Sequence, residues 1–123
     1  IFTGKHHIDP APRRWKMPPF NDFWPCSLLA SQDAVALDSV AFDFLWDAWE
    51  DCARMPRGED YLHEAALADN PPSGVFYDPN HPTPTERLPS LGVHEHWNNP
   101  EERKYSRNLG RAEGIELAAA RIE

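Results

Sequence analysis

His94 and His96, with one residue between them, form the sharpest chemical signal in the chain. On a strand, alternate side chains face opposite ways, so both imidazoles would share one face and Glu95 would point to the other. Two imidazoles on one face are a common start to a zinc or iron site. A third ligand must come from elsewhere in the chain, and His63, Glu64, Asp69 and Asp38 are the candidates. Such a set would hold a divalent metal such as zinc, which polarises a bound water or an oxyanionic substrate. The same spacing also suits a pair of surface or hydrogen-bonded histidines on a polar edge.

The neighbouring signals narrow the chemistry. His63-Glu64 lies on a short predicted helix, but position 67 is Leu, so the His-Glu-x-x-His pattern of zinc proteases fails. Ser73-Gly74 follows two prolines and reads as a tight turn, with no Gly-x-Ser-x-Gly around it. Glycine-rich phosphate cradles are absent. Arg107, close to Tyr105, could bind a carboxylate or phosphate, or could lie on a solvated helix face. His6, His7 and His81 fall in predicted loops and are set aside. Cys26 and Cys52 are either bridged in an exported chain or reduced and buried.

These residues need elements to position them. The clearest is a helix over residues 31–54, with Ser31 as N-cap and Asp33 in the first turn. At 100° per residue, Val35, Leu37, Ala41, Phe42, Phe44, Leu45, Trp46 and Trp49 fall in an arc of roughly 200°. Asp33, Asp43, Asp47, Glu50 and Asp51 take the other side, so the helix reads as the central core element with an acidic stripe in solvent. Asp38 breaks the pattern by falling inside the apolar arc. A buried carboxylate must be paired, hydrogen-bonded or protonated, so Asp38 is either a structural partner or a site acid.

A second helix is expected at about Asp60–Asp69, stopped by Asn70-Pro71-Pro72. Short strands are expected at Val75–Tyr77, Leu91–Trp97 and Gly114–Ala118. A further short helix should open at Asn99-Pro100 and close at Gly110. The 13 prolines keep much of the remaining chain irregular. The expected fold is α+β: one long core helix, short helices and a few short strands, with proline-rich loops. Residues 1–30 read as an extended aromatic and proline-rich arm, and residues 31–123 as one small domain.

Bulk composition excludes several classes. The net charge is −8, and residues 1–60 and 61–123 each carry 6 basic and 10 acidic side chains. That balance disfavours a nucleic-acid partner and a polybasic membrane contact. No apolar run approaches the length of a membrane span or a signal-peptide core, which leans toward a soluble, cytoplasmic protein. The chain begins at Ile1, so the expectation is a removed leader or a fragment of something longer.

Several strings together resemble the C-terminal part of the bacterial domain of unknown function 362 family. They are Lys16-Met-Pro-Pro-Phe-Asn, Trp24-Pro, Ser31-Gln-Asp-Ala-Val-Ala-Leu-Asp-Ser-Val and Tyr61-Leu-His-Glu-Ala-Ala-Leu-Ala-Asp-Asn-Pro-Pro-Ser-Gly. Tyr77-Asp-Pro, Leu91-Gly-Val-His-Glu-His-Trp-Asn-Asn-Pro and Tyr105-Ser-Arg-Asn-Leu-Gly complete the set. The resemblance runs from about Lys16 to Leu117 and implies a missing N-terminal partner half, but no settled activity. Iron–sulfur clusters are linked to some members, yet two cysteines cannot supply four thiolates. Ala34 stands where the pattern has proline. Two functions follow from the whole reading: a metal or ligand site, or an interaction module whose Trp15–Trp24 arm docks on a neighbouring subunit, making a homo-oligomer, or on a missing domain.

Overall fold

The computed structural model describes residues 13–48, 56–76 and 83–122. Two helices, α1 (Ala34–Asp47) and α2 (Pro56–Ala66), are followed by two 3₁₀ turns, Pro84–Glu86 and Arg107–Leu109. Among the described residues there is no strand, only isolated antiparallel bridges between Trp15 and Phe23 and between Asn99 and Lys104. The α+β expectation is therefore overturned.

The physical reason is visible in the backbone hydrogen bonds. Side chains take the place a partner strand would fill. Asp33 Oδ2 accepts the Val93 N–H at 2.8 Å. Glu95 Oε1 accepts the N–H groups of Ser106 at 3.0 Å and Ile115 at 2.8 Å. The Asn108 amide both accepts from the Leu117 N–H and donates to the Leu117 carbonyl, each at 3.0 Å. Segments that read as strands thus satisfy their polar backbone without a ladder.

Helix α1 starts where Asp33, not Ser31, caps it. The Asp33 backbone is extended, and its Oδ1 accepts the Ala36 N–H at 2.9 Å. Ser31 Oγ instead accepts the Asp33 N–H and fixes the cap. The helix runs to Asp47, and residues 49–54 of the expected helix lie outside the described ones. Helix α2 begins four residues before its expected start, with Pro56 at its first position and Glu59 in its first turn. It ends at Ala66, and a turn bonding the Asn70 N–H to the Leu67 carbonyl leads into Pro71. The helix expected from Asn99 is a turn closed by the Asn99–Lys104 bridge, with Arg103 left-handed at φ +52°. Gly110, left-handed at φ +82°, closes the 3₁₀ turn that follows.

The core is built from both ends of the chain. Trp15, Met17 and Phe20 pack with Val40 and Phe44 of α1 and with Tyr105 and Ile115. Edge-to-face contacts run from Trp15 to Phe20 at 4.9 Å, Phe20 to Phe44 at 5.4 Å and Phe44 to Trp97 at 5.7 Å. The expected arm is therefore divided: Trp15, Met17 and Phe20 are buried, whereas Phe23, Trp24 and Leu28 are exposed.

The phase of α1 also differs from expectation. Its buried residues are Val35, Ser39, Val40, Asp43 and Phe44, while Leu45 is 39% exposed and Asp38 is exposed. Val40 and Phe44 meet the apolar core. Ser39 and Asp43 meet a polar partner instead, the chain from Val93 to Tyr105, which lies along the helix. Hydrophobic periodicity cannot see a buried face whose partner is polar.

Candidate functional site

The cluster forms where that polar segment crosses α1. Successive turns of a helix place residues i and i+4 about 6 Å apart, and alternate residues of extended chain are separated by nearly the same distance. Ser39 and Asp43 on α1 are so spaced, and His94 and His96 are the alternate pair. Ser39 Oγ and His94 Nδ1 stand 2.8 Å apart, and Asp43 Oδ1 and His96 Nδ1 stand 2.6 Å apart. Gly92 lets the segment approach. A Cβ there would overlap the Asp33 carboxylate and lie 2.8 Å from Val35 Cβ.

His63, on α2, completes the group. Its ring centre lies 4.5 Å from that of His94, which lies 5.0 Å from that of His96, both edge to face. Glu59, one turn earlier on α2, places Oε1 3.4 Å from His96 Nε2. Phe42 of α1 flanks His96 at 6.0 Å.

The proton positions follow from the bonds. Ser39 donates its hydroxyl proton to the Val35 carbonyl at 2.8 Å. Its Oγ can then only accept, so His94 Nδ1–H donates and Nε2 carries the lone pair. That Nε2 is buried and has no hydrogen-bond partner. Burial, and then electrostatic repulsion from the neighbouring His63 and His96, push the His94 pKa down to about 4. His94 is therefore a neutral imidazole at pH 7, with a free lone pair facing the cluster.

His96 is held differently. Its Nδ1–H donates to Asp43, which also accepts the Tyr105 hydroxyl through Oδ2 at 2.9 Å. Burial pushes the Asp43 carboxyl above the ordinary carboxylate range, against the bonds from His96 and Tyr105. Burial and the Asp43 charge raise the Tyr105 phenol, so it remains a donor. On the opposite face, burial pushes Glu95 upward, but the N–H groups of Ser106 and Ile115 and the side chains of Ser106 and Asn98 outweigh it. Its carboxyl is held below the usual value.

The other expected residues go elsewhere. Glu64 accepts the Ser73 N–H at 2.7 Å and its hydroxyl at 3.0 Å, which ties down the loop after α2. Asp38 accepts the Tyr61 hydroxyl at 3.1 Å on the surface, linking α1 to α2. Asp69 is exposed on the turn after α2 and makes none of the cluster's contacts. Arg107 pairs with Glu116 at 3.0 Å, while Tyr105 is fully buried. Cys26 is a free, exposed thiol, and Cys52, His6, His7 and His81 lie outside the described residues.

Sequence reasoning missed Ser39, Asp43, Glu59 and Tyr105. The matching i, i+4 and i, i+2 spacings were the signal that could have found the first two. Ser39 beside a histidine is no nucleophile, because it is fully buried and its proton is engaged by Val35. Among the described residues, no group of three or more His, Cys, Asp or Glu side chains is arranged to hold a metal ion. No protein-family model, curated protein or solved structure significantly matches the chain.

Proposed function

We propose that the chain binds a divalent metal ion among His63, His94 and His96, with Glu59 at the margin. The observation that carries this reading is the tethering of both Nδ1 atoms, to Ser39 and to Asp43. Metal-ligating histidines are oriented in this way, with one ring nitrogen bonded to a protein oxygen and the other left to coordinate. The ring spacing agrees. Two imidazoles sharing a tetrahedral ion, each nitrogen about 2 Å from it, have centres on the order of 5 Å apart.

Charge favours a cation over an oxyanion as the first occupant. Asp43 and Glu59 bring two carboxylates to the cluster, and His94 is neutral. The reading requires His63 to rotate so that a nitrogen meets the ion. His63 is exposed, and exposed side chains change rotamer in picoseconds to nanoseconds. Three nitrogens with a carboxylate nearby suit zinc-class ions and leave a position at which a water or oxyanionic substrate is polarised.

The test is metal analysis of tag-free protein purified without nickel resin, followed by cobalt titration. The expected result is one ion per chain with a tetrahedral cobalt spectrum, both lost in the His94→Ala/His96→Ala variant. Absence of binding, or equal binding by the two proteins, overturns the reading.

A further inference from the structure

A second site lies at the other end of α1. A hollow of about 590 Å³ is lined by Arg13, Arg14, Lys16 and Arg103, with Asp47 as its single acidic residue. Its size falls within the range of small-molecule sites. Arg103 is committed: Nε and Nη2 both donate to Asp47 Oδ2, at 2.9 and 2.6 Å, and its guanidinium lies over the Trp97 ring. Arg103 thus neutralises Asp47 and answers the negative end of the helix dipole, which amounts to about half a charge.

Arg14 and Lys16 remain in excess of what Asp47 and the helix end require. Lys16 forms no ion pair among the described residues. Arg14 is steadied by the Trp24 ring, 5.6 Å from its guanidinium carbon, and forms no ion pair among the described residues. This basic lining stands on a chain whose net charge is −8, where solubility does not explain it.

We propose that this hollow binds a compact polyanion, a phosphoryl group or a polycarboxylate, through Arg14 and Lys16 with Arg103 as its fixed wall. Guanidinium and ammonium groups give charge-assisted hydrogen bonds to either chemistry. The binding is independent of the histidine cluster.

Calorimetric titration with pyrophosphate and, separately, with citrate tests the inference. The expected result is saturable binding of one anion per chain, weakened at least about tenfold in Arg14→Gln/Lys16→Gln. Lys16→Gln alone removes an exposed side chain that forms no ion pair among the described residues, so it keeps the test valid if the double variant melts early; it should weaken binding in the same direction. The Arg107→Gln/Arg121→Gln and His94→Ala/His96→Ala proteins should bind as the wild type does. Binding of pyrophosphate alone assigns a phosphoryl ligand, of citrate alone a polycarboxylate, and of both the shared chemistry. Absence of binding, unaltered affinity in the Arg14 and Lys16 variants, or equal weakening in either control overturns the proposal.

Discussion

Ser39 donates its only proton along α1, and this fixes the proton on His94 Nδ1. The half-buried ring then resists a second proton until about pH 4, whereas an unfolded histidine accepts one near 6.5. Below 6.5 the unfolded chain gains a proton that the folded chain refuses. His94 therefore contributes full stability above 6.5, and that contribution falls away progressively down to about 4. Urea melts of the wild type and of His94→Gln, compared from pH 7.5 to 4, should show the wild type losing stability more steeply over this window. Parallel slopes would show that the imidazole is not held neutral. The His-x-His pair was legible from spacing; His63 was one of four candidate third partners, with Glu64, Asp69 and Asp38, and only the structure sets its ring against His94. Asp43 was not legible, because its charge placed it on a supposed solvent stripe. Only the structure shows that a tyrosine and a histidine come to meet it.

At the scale of elements, the helix ends carry more than helix. Asp33 caps α1 with one carboxylate oxygen and holds the Val93 N–H with the other. An ordinary cap is worth about 1 kcal/mol. The second bond, on an exposed carboxylate, adds about 1 kcal/mol more. Asp33→Ala should therefore cost about 2 kcal/mol in a urea melt. It should also weaken metal uptake, because the His94 segment is released from α1. Asp33→Asn keeps the cap through its carbonyl but cannot accept both bonds, and should fall between. A loss of stability no larger than an ordinary cap would mean that the Val93 bond contributes nothing. The two helices were legible from their periodicity and breakers, though α1 stops at Asp47 rather than at residue 54 and α2 starts four residues early. The strands were not, because Glu95, Asp33 and Asn108 satisfy backbone groups that sequence patterns assign to a ladder.

At the scale of the molecule, the division of the N-terminal segment decides what it can do. Trp15, Met17 and Phe20 are core residues, each at most 7% exposed. Burial of such side chains is worth roughly 1.5–3 kcal/mol apiece, and a domain's whole stability is about 5–15 kcal/mol. Deletion of residues 13–24 should abolish the cooperative thermal transition seen by circular dichroism. A truncated chain that still melts cooperatively would restore the picture of a detachable docking arm. As it stands, among the described residues of the arm only Phe23, Trp24 and Leu28 are large apolar side chains left outside for such a role. Among the described residues, no helix is long and apolar enough to cross a membrane.

The polar bonds along α1 carry a consequence for the order in which the molecule comes together. Asp33–Val93, Ser39–His94, Asp43–His96, Asp47–Arg103 and Asp43–Tyr105 join residues 60, 55, 53, 56 and 62 positions apart. Each demands closure of half the chain before it returns any free energy, so folding is slow for the chain's size. On the ribosome, α1 emerges long before the histidines that cross it. The cluster therefore has no nascent form. It comes into being only after the chain has been made as far as Tyr105, whose hydroxyl bonds Asp43.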